Sequence, residues 1–259
     1  MKKQNVLVLA ASAMLALACG NKQETGNSDT PPSTDLTLTL EGDSTIYGLV
    51  CDGSTDTLLV FLPLSNIAAN PDTLNVLAAT QSHHIYGRPK VGDEVAIVRN
   101  GNDSTVADIV IDTESLQATW CYMVRPTLRQ RAGITDKMRE QFLRQIPDSV
   151  RDSLMAPREY GFQIKADNAA RAIGLRYQQN IEENSPMEYP PVKRYTIWNL
   201  HNGRLLLTET AIDSTGQRHI THTDTAQLLL LRRDTLVLRF GDQVQGYYRK
   251  AENDSIQQR

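Results

Sequence analysis

Cysteine and the large aromatics are scarce in this chain of 259 residues, which has 3 Cys, 2 Trp and 4 Phe against 9 Tyr. Three cysteines cannot build a disulfide-dense scaffold. Basic charge is not in excess either. The 27 Lys and Arg face 30 Asp and Glu, so the formal charge is −3 and nothing in it asks for nucleic acid. No apolar run reaches the roughly 20 residues that a membrane-crossing helix needs. No Cys-x-x-Cys occurs, and no Asp is followed three places later by His. What remains, 40% apolar and 22% charged residues, is the balance of a folded chain and excludes wholesale disorder.

The start of the chain stands apart. Lys2 and Lys3 precede Val6 to Ala18, an uncharged stretch of 13 residues, and small Ala18 sits directly before Cys19. A basic head followed by a short apolar run predicts an export signal over residues 1–18. The junction resembles a bacterial lipobox, with Ala16 and Leu17 upstream of the Cys. That resemblance implies diacylation of Cys19, a lipid anchor in the membrane, and residence in the bacterial cell envelope as an outer-membrane lipoprotein. Which face of that membrane it occupies stays open, because Lys22 and Glu24 mix charges after the Cys. Each buried CH₂ of an acyl chain contributes about 0.8 kcal/mol to such an anchor. Loss of residues 1–18 takes two lysines with it and leaves a formal charge of −5. Residues 19–34 carry no large apolar side chain and read as a flexible tether.

From Asp35 onward, short apolar runs alternate with turn signals. A small device recurs: Asp, then Thr or Ser, then an apolar run, as at Asp56-Thr57, Asp72-Thr73, Asp103-Ser104-Thr105, Asp224-Thr225 and Asp234-Thr235. Asp and Thr close local turns on backbone N–H groups, and Thr then suits a strand. The acidic residues are too scattered for a calcium loop. Asn100-Gly101 and Asn202-Gly203 add hairpin turns. The pattern predicts an all-β chain. Residues 35–114 are expected to form a small antiparallel, OB-like barrel, with strands at Leu36–Leu40, Thr45–Cys51, Leu58–Leu62, Leu74–Ala79, Glu94–Val98 and Val106–Ile111. Residues 115–250 are expected to form an up-and-down antiparallel barrel, and 251–259 a polar tail. A helical insertion at 125–158 interrupts the second barrel. Met138, Phe142 and Ile146 make one helical stripe there, Thr135 can cap it and Pro147 can end it. The insertion is rich in arginine. Its arginines either lie in solvent or form a basic surface for anionic lipid, a partner or the barrel mouth.

The stretch from Leu116 resembles the lipocalin-like lipoproteins of Bacteroides-type bacteria. The residues that carry this are Leu116-Gln117-Ala118-Thr119-Trp120, Gly161 to Ala169 with Ile173-Gly174, Trp198, Gly203 to Thr208, Asp234 to Leu238 and Tyr247-Tyr248-Arg249. The resemblance implies a lipocalin-like barrel behind a small β domain. It also implies a barrel-closing pair, Trp120 with Arg249, with Ala118 standing where the lipocalin motif has Gly. A guanidinium over an indole contributes roughly 0.5–2 kcal/mol.

Catalytic chemistry finds no cluster. Gly42-Asp43-Ser44 resembles the nucleophile block of GDS-type lipases but lacks a downstream Asp-x-x-His, so it reads as a turn before a strand. His83 and His84 are adjacent, His219 and His222 point to opposite faces of a strand, and no metal site is expected. Cys51 and Cys121 lie in apolar strands. Either they form a disulfide that clamps the two units, or they are two buried thiols. The expectation is a binding module that is not an enzyme and has no cofactor. It would take a small apolar ligand in its barrel, with Trp198, Tyr195 and Tyr177 as the first residues to test. The alternative is a structural envelope protein that binds partner proteins and has a filled barrel.

Overall fold

The computed structural model describes residues 41–129, 133, 135–174 and 187–251. Cys19, Tyr177 and the strand expected at Leu36–Leu40 lie outside the described residues.

The first sheet is built from β1 (Ile46–Val50), β2 (Leu58–Pro63), β3 (Asp72–Asn75), β4 (Ile85–Tyr86), β5 (Glu94–Arg99) and β6 (Ala107–Asp112). Alternation sets its inner face: Leu59 and Phe61 of β2 are buried while their neighbours are more exposed. The spatial order is β3-β2-β1-β5-β6-β4. Asn75 then meets Val106 in a parallel bridge, so β3 approaches the start of β6, while β4 joins β6 in parallel, a departure from the all-antiparallel barrel expected; the sheet curls around a core of its own. Phe61, Leu74, Val95, Ile97 and Val110 fill it.

The strand expected at Leu74–Ala79 is shorter than its apolar run. It stops at Asn75, and α1 (Leu77–Gln81) begins at once. The Asn75 side chain explains the switch: its Oδ1 accepts from the Leu77 N–H at 2.9 Å, and the Leu-Ala-Ala that follows favours helix.

α2 (Thr113–Leu116) leads into the second barrel, whose strands are β7 (Thr119–Val124), β9 (Arg158–Ile164), β10 (Ala170–Ile173), β12 (Ile197–His201), β13 (Arg204–Ile212), β14 (Arg218–Leu231), β15 (Thr235–Phe240) and β16 (Gln243–Arg249). Each pairs antiparallel with its successor in this series, an up-and-down meander, except β10 and β12, which are the two ends of the sheet. The circuit closes twice. β16 pairs with β7 through Tyr248 opposite Cys121 and Arg249 opposite Trp120. β10 and β12 meet at Ala169 and Ile197, where the Trp198 N–H donates to the Asn168 carbonyl at 2.8 Å. The barrel is therefore nearly closed, which removes most of its exposed edge.

The insertion contains β8 (Thr127–Leu128), α3 (Asp136–Gln145) and α4 (Asp148–Leu154). Thr135 caps α3 by accepting from the Met138 N–H, and the helix stops just before Pro147. β8 pairs with β11 (Met187–Glu188), which ties the insertion to the connection before β12. The turn expected at Asp224-Thr225 does not interrupt the chain: it lies in the middle of one continuous strand, β14.

The first unit keeps its own core and also adds residues to that of the second. Tyr86, Ala96 and Ile111 from the first unit pack with Leu116, Trp120, Leu200, Leu228 and Leu236 of the second. The first unit thus covers one end of the eight-stranded barrel, here termed the closed end. Trp120 sits at this junction, fully buried, and its Nε1–H donates to the Leu116 carbonyl at 2.8 Å. On the neighbouring strand, opposite Cys121, Gly161 leaves room that no other residue could. A Cβ there would lie 1.9 Å from the Trp120 carbonyl oxygen.

Trp120→Ala is expected to lower unfolding free energy by about 3–5 kcal/mol, measured by urea or thermal unfolding. An unchanged melting curve would show that the junction does not hold the fold.

Candidate functional site

Two ends of the eight-stranded barrel carry polar chemistry. At the closed end, the β12–β13 turn is Asn202-Gly203, both with positive φ. Asn202 is grasped by the segment that resembled a lipase block. Its N–H donates to Asp43 Oδ1 at 3.0 Å, its Nδ2–H donates to the Gly42 carbonyl at 3.0 Å, and its Oδ1 accepts from the Ser44 N–H and, at 2.6 Å, the Ser44 hydroxyl. Ser44 is thus a latch residue whose hydroxyl is given to Asn202. The expected turn is there too, since Asp43 Oδ1 accepts from both the N–H and the hydroxyl of Thr45. Burial pushes the Asp43 carboxyl up, yet the hydrogen bonds from Thr45 and Asn202 bring it below the usual range. His201 Nδ1 lies 3.7 Å from the same oxygen. Gly203 is favoured by its positive φ, and a Cβ there would also push the end of the Ile109 side chain aside.

Arg249 and Trp120 also meet here. The guanidinium carbon lies 5.1 Å from the indole centroid, and Nη2 donates to the Ser115 carbonyl at 2.5 Å. A cation over an indole and a hydrogen bond to α2 join the last strand to the first and to the neighbouring unit.

At the opposite, open end, aromatic rings line the mouth. Phe162 stands edge-on to Tyr195 and Tyr247, and Tyr122 stands edge-on to Tyr160 and Tyr247. Asp224 sits beside them. Its Oδ2 accepts from the Tyr195 hydroxyl at 2.5 Å and from Lys193 Nζ at 3.1 Å, and its Oδ1 lies 2.9 Å from His222 Nε2. This corrects the turn expected at Asp224-Thr225. The carboxylate binds side chains distant in sequence, so no local backbone N–H draws the chain out of the strand. Burial raises the Asp224 carboxyl, and the bonds from Tyr195, His222 and Lys193 outweigh it and lower it. Burial first, and Asp224 second, push the Tyr195 hydroxyl well up. Tyr122 and Tyr247 rise through burial too.

The depression between these rings has a volume of about 30 Å³, bounded also by Val192 and Lys193. That holds about one water molecule. Beneath it Trp120, Leu205, Leu207, Leu228, Leu236 and Leu238 are fully buried. Of the residues expected to meet an apolar ligand, Trp198 and Tyr195 are core residues, 4% and 6% exposed. Trp198 Nε1–H is already taken by the Lys165 carbonyl at 2.7 Å.

Other expected groups do not assemble. Cys51 and Cys121 are free thiols. Cys121 faces Glu159 on the barrel wall and burial pushes it up to about 12, while Cys51 turns to the Leu49 carbonyl, so the clamp between units is not formed. Among the described residues no group of three His, Cys, Asp or Glu could hold a metal ion. A shallow groove of about 360 Å³ between α1 and β6, with Ser82, His84 and Asp108 on its walls, was not visible from spacing alone.

No family model matches the chain, and no curated protein matches it. A solved structure, that of a lipocalin-like protein from Bacteroides thetaiotaomicron VPI-5482, is similar over 52% of this chain and 97% of its own, at 15% identity and a TM-score of 0.27. A likeness of that size carries no argument, and the barrel rests on its own strand register.

Asp224→Asn is expected to cost about 1–3 kcal/mol at neutral pH, because Tyr195 and Lys193 lose a charged acceptor. The native carboxyl titrates below its unfolded counterpart, so its contribution is present above the usual carboxylate range and disappears as pH falls through the folded value. Urea unfolding at stepped pH should show the gap between variant and wild type closing on the acid side. A gap independent of pH would refute the charged contact.

Proposed function

We propose that this protein is an exported lipoprotein, held at the outer membrane by an acylated Cys19, and that its eight-stranded barrel is a solid, non-enzymatic scaffold for partner proteins. The observation that carries the reading is the filled interior. Small-molecule sites usually offer roughly 300–1,000 Å³, whereas the mouth depression offers about 30 Å³. A small apolar ligand would have to displace fully buried Leu205, Leu207 and Leu228. Large-to-small changes at such positions cost about 2–5 kcal/mol each, and displacement is of the same order. The partner-binding alternative therefore outranks the apolar-ligand one.

The anchor rests on the sequence: a basic head, a short apolar run and Ala18-Cys19, then a polar tether. The polar outside of the barrel supports attachment through that anchor. Outward-facing Arg171, Arg204, Gln227 and Arg239 are exposed on four different strands. A membrane-spanning barrel would place apolar side chains there.

Two measurements test the proposal. Cys19→Ala should abolish incorporation of a labelled fatty acid and move the protein from the membrane to the soluble fraction; unchanged membrane retention would sink the anchor. Native mass spectrometry of a chain that starts at Gly20 should give the bare protein mass. A stoichiometric co-purified lipid would restore the ligand reading.

A further inference from the structure

Four arginines converge where the first unit crosses the closed end. The Gly87 N–H donates to the Leu231 carbonyl at 3.2 Å, which sets Arg88 beside Arg232. The turn that follows is closed by the Arg232 N–H on the Thr235 carbonyl, and the Arg249 N–H donates to the Asp234 carbonyl, each at 2.8 Å. Arg232 and Arg233 thus sit on the turn that abuts Arg249. Arg88, Arg232 and Arg233 are exposed, and Arg249 is half-buried.

The nearby carboxylates are hydrogen-bonded to other donors. Asp112 is buried and spent on local donors: the Arg88 N–H at 3.1 Å, and the Ser115 N–H and hydroxyl at 2.9 and 2.5 Å. Asp234 takes the Thr235 hydroxyl at 2.9 Å. Among the described residues, the ion pairs found involve other cations, and none includes Arg88, Arg232, Arg233 or Arg249. Burial, then the nearby Arg233, lowers the Arg249 pKa, against a smaller opposing pull from Asp112. Arg249 Nε is also enclosed and without a partner.

Like charges gathered on one seam of a chain that is net negative repel each other unless an anion joins them. Guanidinium groups present paired donors in a fixed plane and suit an acceptor with several oxygens. We propose that Arg88, Arg232 and Arg233, backed by Arg249, form a binding site for a phosphate group. The group is carried either by an anionic lipid headgroup or by a soluble phosphate-bearing molecule. The proposal needs no acyl anchor and stands apart from the filled-barrel reading.

The test uses the unlipidated chain from Gly20, which keeps all the core residues, between Val50 and Tyr247. Pyrophosphate is titrated at constant ionic strength while the melting temperature is followed, and vesicles of phosphatidylglycerol or phosphatidylcholine are co-sedimented. The wild type should be stabilised by pyrophosphate, or pellet with phosphatidylglycerol and not with phosphatidylcholine. The Arg232→Gln/Arg233→Gln double variant should lose at least tenfold in affinity for whichever probe binds. Arg88→Gln, altered on the other unit, should show a smaller loss. All three positions are exposed, so unliganded stability should stay close to wild type. Pelleting with phosphatidylglycerol identifies a lipid headgroup as the source, and a response to pyrophosphate alone identifies a soluble one. If neither probe acts on the wild type, or the double variant responds as the wild type does, the site is overturned.

Discussion

Trp120 is the residue on which the closed end is assembled. Its ring is fully buried, its Nε1–H is satisfied by Leu116 of α2, and Arg249 of the last strand covers it. Its carbonyl side is approached so closely by β9 that only Gly161 fits. One side chain therefore meets the first strand's neighbours, the last strand and the connection from the preceding unit. A barrel closed through so few paired residues, two between β16 and β7, needs such a junction, because the ladder there is short. The same junction lets part of the first unit, Tyr86, Ala96 and Ile111, pack into the second unit's core, while the rest of the first unit keeps a core of its own.

The latch at Asn202 follows the same logic at the next hairpin. Asn202-Gly203 was legible as a turn, and Asp43-Ser44-Thr45 was legible as another. That they clasp each other across more than 150 residues was not, because hydrogen bonds between two turns leave no periodic trace in sequence. The helical insertion was readable almost to the residue, since its signals are local: the Thr135 cap, the Met138 spacing and the Pro147 stop. β14 was misread for the converse reason. Asp224-Thr225 looks like every other Asp-Thr turn in the chain, and only the Tyr195 hydroxyl and Lys193, about 30 residues away, turn that carboxylate into a side-chain hub.

The same distinction governs the candidate site. Alternation in Tyr160-Gly161-Phe162-Gln163-Ile164 marks which residues face inward, and all three large ones are buried. Alternation is silent on whether eight inward-facing rows leave a cavity. That depends on how facing rows interdigitate. Here leucines from β13, β14 and β15 meet Trp120 and Phe162 and close the interior. Of the aromatic residues expected as ligand contacts, Trp198 is buried in this core and Tyr195 lines the mouth with its hydroxyl on Asp224.

The barrel's two ends end up with opposite chemistry, for one physical reason. At the open end a carboxylate is surrounded by donors it can bind: a tyrosine hydroxyl, a lysine and a histidine. Its charge is satisfied within the molecule, which makes Asp224 structural. At the closed end the excess runs the other way. Arg249 is committed to Trp120 and Ser115, Asp112 is committed to backbone and hydroxyl donors, and the exposed arginines beside them find no carboxylate among the described residues. A self-satisfied cluster holds a fold together, whereas an unsatisfied one of single sign costs stability until something outside the chain completes it. The end that joins the two units is thus also the end with chemistry to spare.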